Sequence, residues 1–510
     1  MHSDEEEEKK SVWQLFLLTV CIGGLQIAWT VELSNGSPFL LSLGISKSIM
    51  ALVWIAGPLS GSLVQPYVGM RSDNSRISWG KRRPFMIGGT IATIISLLLL
   101  AWTKEIIQGL VRVTGGDPNS RGTQIGAIVF AVCFIYILDF AVNVVQAAIR
   151  AFIVDNAPSH QQETANAWAG RMTGVGNVLG YLSGYVNLRK AFPFFGQTQF
   201  QILCVIACLA LGVSVALSSV SIKERDPRLE GPAPKGQAGL IAFFRRILVS
   251  IKRLPPQIRN ICLVQFFAWV GWFPFLFYIT TYIGGLYTDP IFRSNPHLTD
   301  DDINKAWEKA TRVGTFALFV FACVSLAANV VLPFIIPWLT LRRAWLLSHV
   351  LFTVCMWLTL AVSTPTGATV LVGVVGICWA LTLWAPFALI SAEIAKRETL
   401  RRSQLRRLSG GRGGSHGQGS DESEDQAGII LGLHNVAMCA PQVIATVASS
   451  FIFRFLQKPR GVPGDGSVAW VLRIGGLSAL IAAYMVTRIN EDKSSMVPAS
   501  SSSSDEEDIV

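Results

Sequence analysis

The chain has 510 residues, 51% of them hydrophobic and 15% charged, with a mean hydropathy of +0.45. Apolar runs of about twenty residues recur along its whole length, which excludes an ordinary soluble domain and is the signature of a helical protein that crosses the bilayer many times. The net charge of +10 does not call for nucleic acid, because the Lys and Arg residues gather in the loops, where membrane topology accounts for them.

In chain order, residues 1–12 form an acidic then basic tail with no cleavage site, so the first apolar run serves as its own insertion signal. Twelve spans are expected, near 13–43, 48–69, 85–103, 125–150, 165–186, 199–220, 260–283, 312–337, 343–363, 367–391, 427–453 and 468–487. A polar stretch, 223–259, holds Pro-Ala-Pro and several Gly residues and divides the spans six and six. The expected organisation is a cytoplasmic N-tail 1–12, an N-terminal six-helix half 13–222 and a cytoplasmic central loop 223–259. A C-terminal half 260–487 follows, interrupted by a disordered cytoplasmic loop 395–426, and the chain ends in a cytoplasmic tail 488–510. This predicts an all-α membrane protein with twelve transmembrane helices in two six-helix halves. That is the layout of the major facilitator fold, whose substrate site lies between the halves near the midplane. With both tails inside, the inner segments carry about 27 Lys and Arg and the outer loops roughly 14, the asymmetry expected of that orientation.

The first span is long, about 31 residues or about 46 Å as a straight helix. Its Glu32-Leu33-Ser34-Asn35-Gly36-Ser37-Pro38 run predicts a kinked or broken helix lining a cavity, and Glu32 is an intramembrane acid. The loop after span two, GMRSDNSRISWGKRRPF, offers Asp73 as an ion-pair partner for Arg82 or Arg83. Such a clamp would hold one conformation of a carrier and release in another; the alternative is that its basic residues are only topology signals.

Span four carries Asp139, Asn143, Gln146 and Arg150 at offsets of four, three and four, so all four side chains share one helical face. A carboxylate at the bilayer centre costs about 2.5–3.5 kcal/mol on insertion scales. The stripe is therefore either the lining of a wet passage or a polar network between packed helices; a lone acid suits the first, as a proton carrier. Direct pairing with Arg150 is excluded, since it lies about 16 Å further along the axis. Arg171, on the next span, is an open candidate partner. A short surface helix is expected in the outer loop 289–309, and all nine cysteines lie in apolar runs, as small buried hydrophobes. A sugar pocket needs planar hydrogen-bonding groups and aromatic faces. Span seven offers Trp269, Trp272, Phe273 and Tyr278, each of which equally suits packing. His434 suits either a proton relay or a satisfied core position. No Walker loop, nucleophile elbow or zinc motif is present, which argues against an enzyme.

The run LGISKSIMALVWIAGPLSGSLVQPYVGMRSDNSRISWGKRRPF resembles proton-coupled sucrose transporters, within the glycoside–pentoside–hexuronide cation symporters of the major facilitator superfamily. ILDFAVNVVQAAIRAFIVD resembles the family's fourth span, with matches at Asp139, Asn143, Gln146, Arg150 and Asp155; NAWAGRMTGVGNVLGYLSG, AWVGWFPFLFYITTYIG, APFALIS and AGIILGLHNVAMCAPQ resemble its fifth, seventh, tenth and eleventh. The resemblance implies Asp139 as the proton-coupling acid and Asn143, Gln146, Asn177 and Gln442 as polar liners. Arg312 matches a family arginine.

The chain departs from the plant members at Ser46-Lys47, in place of Pro-His, and at Glu32, in place of Gln. It departs again at Ile279, Thr281, Gly285 and Leu286, in place of charged residues, and at Arg171. These changes point to a fungal or animal branch. The resulting expectation is proton-coupled symport of sucrose or a related α-glucoside such as maltose by alternating access, with no cofactor and no metal. Asp139 and Glu32 carry the proton. Asn143, Gln146, Asn177, Arg171, Trp269, Trp272, Gln442 and His434 face the sugar, and Asp73, Arg82, Arg83, Arg150 and Asp155 gate. The expected partners are a disaccharide, protons and the lipid bilayer, and the expected form is a monomer in the plasma membrane. The alternatives are export or carriage of another sugar on an internal membrane, and a non-transporting sugar sensor.

Overall fold

A computed structural model of the chain describes residues 9–224, 245, 254–295, 297–408 and 418–490. Most of the expected central loop, both terminal tails beyond those limits and residues 409–417 lie outside the described residues.

Among the described residues, twelve long helices make up the bundle: α1 Val12–Ser42, α2 Lys47–Asp73, α3 Arg83–Ala101, α4 Arg121–Asn156, α5 Gln162–Tyr185, α6 Gln199–Ser221, α7 Pro256–Ser294, α8 Asp300–Leu339, α9 Leu341–Leu358, α10 Pro365–Leu408, α11 Gln418–Leu456 and α12 Ser467–Val486. Ten are apolar and long enough to cross a membrane on their own account. The other two are α5, rich in Gly and amides, and α9, which holds Arg342, Arg343 and His349 within 18 residues. Both take their places among the twelve spans despite this polarity.

Several element boundaries differ from the sequence expectation. α1 is not broken: Glu32–Gly36 is a single π-helical turn, and Pro38 falls in the first turn of the α-helix that resumes at Ser37. Widening the helix there removes the need for a hydrogen bond that the proline cannot donate. The surface helix expected in 289–309 is the outer end of α8, which starts at Asp300 behind a Thr299 cap that accepts from Asp302 N at 3.2 Å. Residues 395–408 and 418–426, expected to lack regular structure, continue α10 and α11 as helix. Extending a helix already formed avoids the nucleation cost, and Leu, Arg, Gln and Glu are good helix formers.

The two halves repeat one packing scheme. α1 lies on α6 and α7 on α12; α2 lies on α4 and α8 on α10; α3 lies on α4 and α9 on α10. Even the closest backbone approaches correspond. A Cβ at Gly24 of α1 would collide with Ser214 of α6, and one at Gly271 of α7 would sit 2.6 Å from the Gly475 carbonyl of α12. In lipid, where no hydrophobic force drives helices together, such small-residue contacts carry the packing.

We call the end that carries residues 69–85 the inner end, following the distribution of basic residues. Several hydrogen bonds and ion pairs join the halves at the outer end. Ser37 Oγ donates to the Phe277 carbonyl at 2.7 Å, and Trp54 packs on Phe277 with ring centroids 4.7 Å apart. Lys47 Nζ pairs with Asp465 at 2.7 Å, the hydroxyls of Ser48 and Ser450 meet at 3.2 Å, and Arg312 Nε donates to the Tyr185 carbonyl at 2.9 Å. Burial pushes the Asp465 carboxyl up, but Lys47 and the Ser467 donors outweigh it and hold the group below its ordinary value. A depressed carboxyl contributes above its ordinary range and loses that contribution only as pH falls through its lowered value, so this lock stays charged at neutral and mildly acidic pH.

Gly271→Ala is expected to destabilise the protein by about 1–3 kcal/mol through overpacking against α12. A thermal melt of the purified protein that matches the parent chain would refute the close α7–α12 packing.

Candidate functional site

The site is built where α1, α2 and α4 converge below the closed outer end. Asp139 is fully buried, and no N–H or O–H from another residue reaches either of its oxygens. The group its carboxyl faces is a second buried carboxyl, Glu32, on the π turn of α1. No Lys or Arg pairs with either acid among the described residues. Two carboxylates in contact repel when both are charged; one proton between them replaces the repulsion with a hydrogen bond. The π turn turns the Glu32 side chain toward α4. On α2, a Cβ at Gly57 would lie 3.8 Å from Asp139 Oδ1, so this small residue leaves the acid its space.

From the acid pair the stripe on α4 runs toward the inner end. Asn143 is buried: its amide donates to Ser60 Oγ at 2.9 Å and to the Asp139 carbonyl at 2.9 Å, and its Oδ1 accepts from Gln65 Nε2 at 2.7 Å. Gln146 is half-buried and accepts from Trp29 Nε1 at 2.9 Å. Arg150, one turn further, is exposed, and so is Arg171 of α5, which stacks on Trp168 at 5.2 Å. Charged side chains within a span face water rather than lipid. The gradient from sealed acid to exposed guanidinium therefore marks a passage that opens at the inner end. Asn177 joins the wall by accepting from Gln26 Nε2 at 2.8 Å.

The C-terminal half contributes less than the sequence suggests. Trp272, expected to face the sugar, is instead in the core of that half, with ring centroids 4.5 Å from Phe352 and 4.9 Å from Trp379. Its neighbours on α9 and α10 leave it no access to the passage, because α7 turns this face inward to its own half. His434 is likewise buried, its Nε2 3.2 Å from Gln265 Nε2 and its ring edge-on to Phe387 at 4.8 Å. It ties α11 to α7 and α10 rather than facing substrate. Trp269 and Gln442 are half-buried, and the indole N–H of Trp269 has no partner.

The inner clamp lies within the N-terminal half. The Arg82 guanidinium bonds Asp73 and Ser72, and its Nε donates to Asp155 at 2.7 Å. Arg83 takes a different role: its guanidinium reaches the Ile222 carbonyl, and the backbone N–H groups of Arg82 and Arg83 donate to Glu224 at 2.9 and 2.8 Å. Loop 69–85 is thus bound to the inner ends of α4 and α6. Arg150 is not part of this clamp.

Sequence reasoning missed Gln26, Trp29, Ser60, Gln65 and Glu224. A signal existed for two of them: Gln26 and Trp29 precede Glu32 at intervals of three, which places all three on one face of α1.

Two pseudo-equivalent halves, with a stripe of polar and charged side chains that runs from buried acids toward the inner end, make the architecture of a secondary carrier of the alternating-access type. Residues 10–405 match the Major Facilitator Superfamily. The chain is 38% identical to the general alpha-glucoside permease of Schizosaccharomyces pombe, covering 94% of each chain. It is 30% identical to a sucrose transport protein of Oryza sativa subsp. japonica over 67% of this chain and 68% of that one. The structure resembles the partially occluded inward-open xylose transporter of E. coli with a TM-score of 0.58 at 13% identity, over 95% of this chain and 100% of that one, which speaks for the fold alone. The chain belongs to the Major Facilitator Superfamily and, within it, to the family of the α-glucoside permeases and sucrose transport proteins, with greater identity to the fungal member than to the Oryza sativa one.

Cysteines placed at 150 and 171 are expected to react with a charged, membrane-impermeant thiol reagent at least several-fold faster from the inner side than from the outer, over the background of the parent chain. A cysteine at 143 is expected to stay protected from both sides. Equal labelling of Arg150→Cys from the outer side would refute the inner opening.

Proposed function

We propose that the protein imports an α-glucoside, maltose or sucrose, together with a proton across the plasma membrane. The observation that carries this is the pair of buried carboxyls, Asp139 and Glu32, in contact with each other and with no cation, at the blind end of a passage lined by amides. The substrate class follows from the fungal permease and the plant sucrose transport proteins that the chain resembles.

The cycle uses this chain's own groups. With the outer end open, a proton joins the acid pair, and the amides of Asn143, Gln146 and Asn177 hold sugar hydroxyls. The added proton removes one of the pair's two negative charges and the repulsion between them, which lowers the cost of carrying charge into the low-dielectric centre, so the loaded carrier can close. Once the inner end opens, the passage admits water. The positive charges of Arg150 and Arg171 along that route favour loss of the proton to the inner side. The Lys47–Asp465 lock keeps its charges across the neutral range, so the acid pair, and not the lock, senses the driving gradient. A membrane potential adds about 2.3 kcal/mol per charge per 100 mV, enough to make the symport concentrative.

Asp139→Asn is expected to abolish accumulation of radiolabelled maltose and sucrose in vesicles given an inside-alkaline pH gradient, whereas the parent chain concentrates them. Accumulation by the variant at the parental level would move the coupling away from this pair. If the parent chain takes up neither sugar, the substrate assignment fails.

A further inference from the structure

A large chamber lies between the halves at the outer end, apart from the acid pair. Its volume is about 980 Å³, at the top of the range that small-molecule sites occupy. Asn35, Phe39, Lys104, Tyr282, Trp307 and Arg460 contribute to its lining. The charge of this lining is one-sided. Seven Lys and Arg residues stand in it against four Asp and Glu, and each of the four acids already has a partner. Asp465 pairs with Lys47, and Asp289 and Glu308 pair with Arg293 and Arg189, which lie outside the lining. Glu105 accepts from Gln201 Nε2 at 2.8 Å.

Two of the cations come together from opposite halves. Lys104, just beyond α3, donates from Nζ to the Ser42 carbonyl at 3.4 Å. Arg460, between α11 and α12, donates from Nη1 to the neighbouring Leu41 carbonyl at 3.4 Å, and its guanidinium lies 6.0 Å from the centre of the Trp307 ring. Both residues are exposed and line the chamber. Glu105 and Asp300 act on them only from beyond ion-pair distance. The C-terminal end of α1 attracts both cations, but one helix end offers about half a negative charge against two positive ones. The chamber walls also withhold water. That loss, followed by the charge of Arg460, holds the Lys104 ammonium below its ordinary value against the pull of Glu105. Lys carries three donors and Arg five, and among the described residues each uses one here.

Two like charges brought together in this way oppose closure of the outer end, and an anion between them would offset that. A phosphate group fits the remaining charge and the donors. It carries about −1.5 to −2 charges near neutral pH, and its oxygens can accept from a guanidinium and an ammonium at once.

We propose that Lys104 and Arg460 form an anion site in the outer chamber, which takes a phosphate group and exists only while the outer end is shut. Bound there, the anion bridges the halves and delays reopening, so external phosphate slows import. The slowing rests on the transport reading above; the binding does not. The phosphate can be free in the outer medium or carried by a lipid headgroup.

Calorimetric titration of the purified, lipid-stripped chain with inorganic phosphate, at fixed ionic strength, tests the site. One saturable site per chain is expected. Lys104→Gln and Arg460→Gln are each expected to weaken it at least tenfold, the loss of one charge-assisted hydrogen bond, whereas Lys104→Arg and Arg460→Lys keep it. No saturable binding by the parent chain overturns the site, and so does undiminished binding in the Gln variants, which would leave both side chains as caps of α1 alone. Where one Gln variant does not fold, the other decides. Repeating the titration in phosphatidylcholine vesicles with and without phosphatidic acid separates the sources. Binding lost with phosphatidic acid assigns the site to a headgroup, and binding unchanged assigns it to the free anion.

In phosphatidylcholine vesicles given an inside-alkaline gradient, external phosphate is expected to slow maltose uptake by the parent several-fold and to leave uptake by Arg460→Gln unchanged. Equal slowing in the two, or none in the parent, overturns the bridging role. If the parent transports no maltose at all, the α-glucoside assignment falls and the phosphate site, read by calorimetry, stands.

Discussion

The cost of charge in a medium that cannot solvate it governs this protein. Asp139 and Glu32 sit in the bilayer interior against each other, with neither a cation nor a backbone donor to offset ionisation. Such an arrangement is a poor choice for stability, because two apolar residues of similar volume would pack without penalty. It makes sense where the number of protons held must differ between two conformations. A salt bridge at the same place would hold its charge in both and could not report which side of the membrane the passage faces.

The packing divides the molecule into parts that cannot slide and parts that can. Within each half, backbones meet at positions where even a methyl group does not fit, as at Gly24 with Ser214 and at Gly271 with Gly475. Contacts of that kind have one registry. Between the halves α5 and α8 also meet closely, a Cβ at Gly184 lying 2.5 Å from Thr315, but the polar contacts that join the halves at the outer end are hydrogen bonds and ion pairs. Each of these can be exchanged for water at small net cost. The Arg82 clamp ties the inner loop to Asp155 and Glu224 and so stiffens the inner end of the N-terminal half. Rigid halves with an exchangeable seam are what rocking about a central site requires.

Much of this was legible in the residues. The spans, the division into halves and the buried acids follow from hydropathy and from the price of a carboxyl in lipid. Asp73 with Arg82 was readable because the partners are nine residues apart. Asp155 and Glu224 were not readable as partners of the same loop: they approach it from 73 and 142 residues away, and only the stacking of α3, α4 and α6 brings them there. Glu32 and Asp139 were each visible as intramembrane acids, yet their contact depends on a π turn, which leaves no periodicity in the sequence. Trp272 shows the converse failure. An aromatic residue beside a suspected site has two places to go, and in a helix packed on both sides the rotation of a single residue decides between passage and core.

That π turn also links the events at the two levels of the bundle. Within five residues it carries Glu32, which faces Asp139, and Asn35, which lines the outer chamber; Ser37, which holds the Phe277 carbonyl, follows directly. Helical hydrogen bonds make this stretch nearly rigid, and the wider turn is its least constrained part. Two carboxylates pushed apart by their own repulsion would displace Glu32, and Ser37 is less than two turns away on the same backbone. The proton site and the outer gate therefore need no chain of intervening side chains to influence one another. They share one stretch of helix, and in the proton-coupled cycle proposed above its position follows whether the acid pair holds its proton.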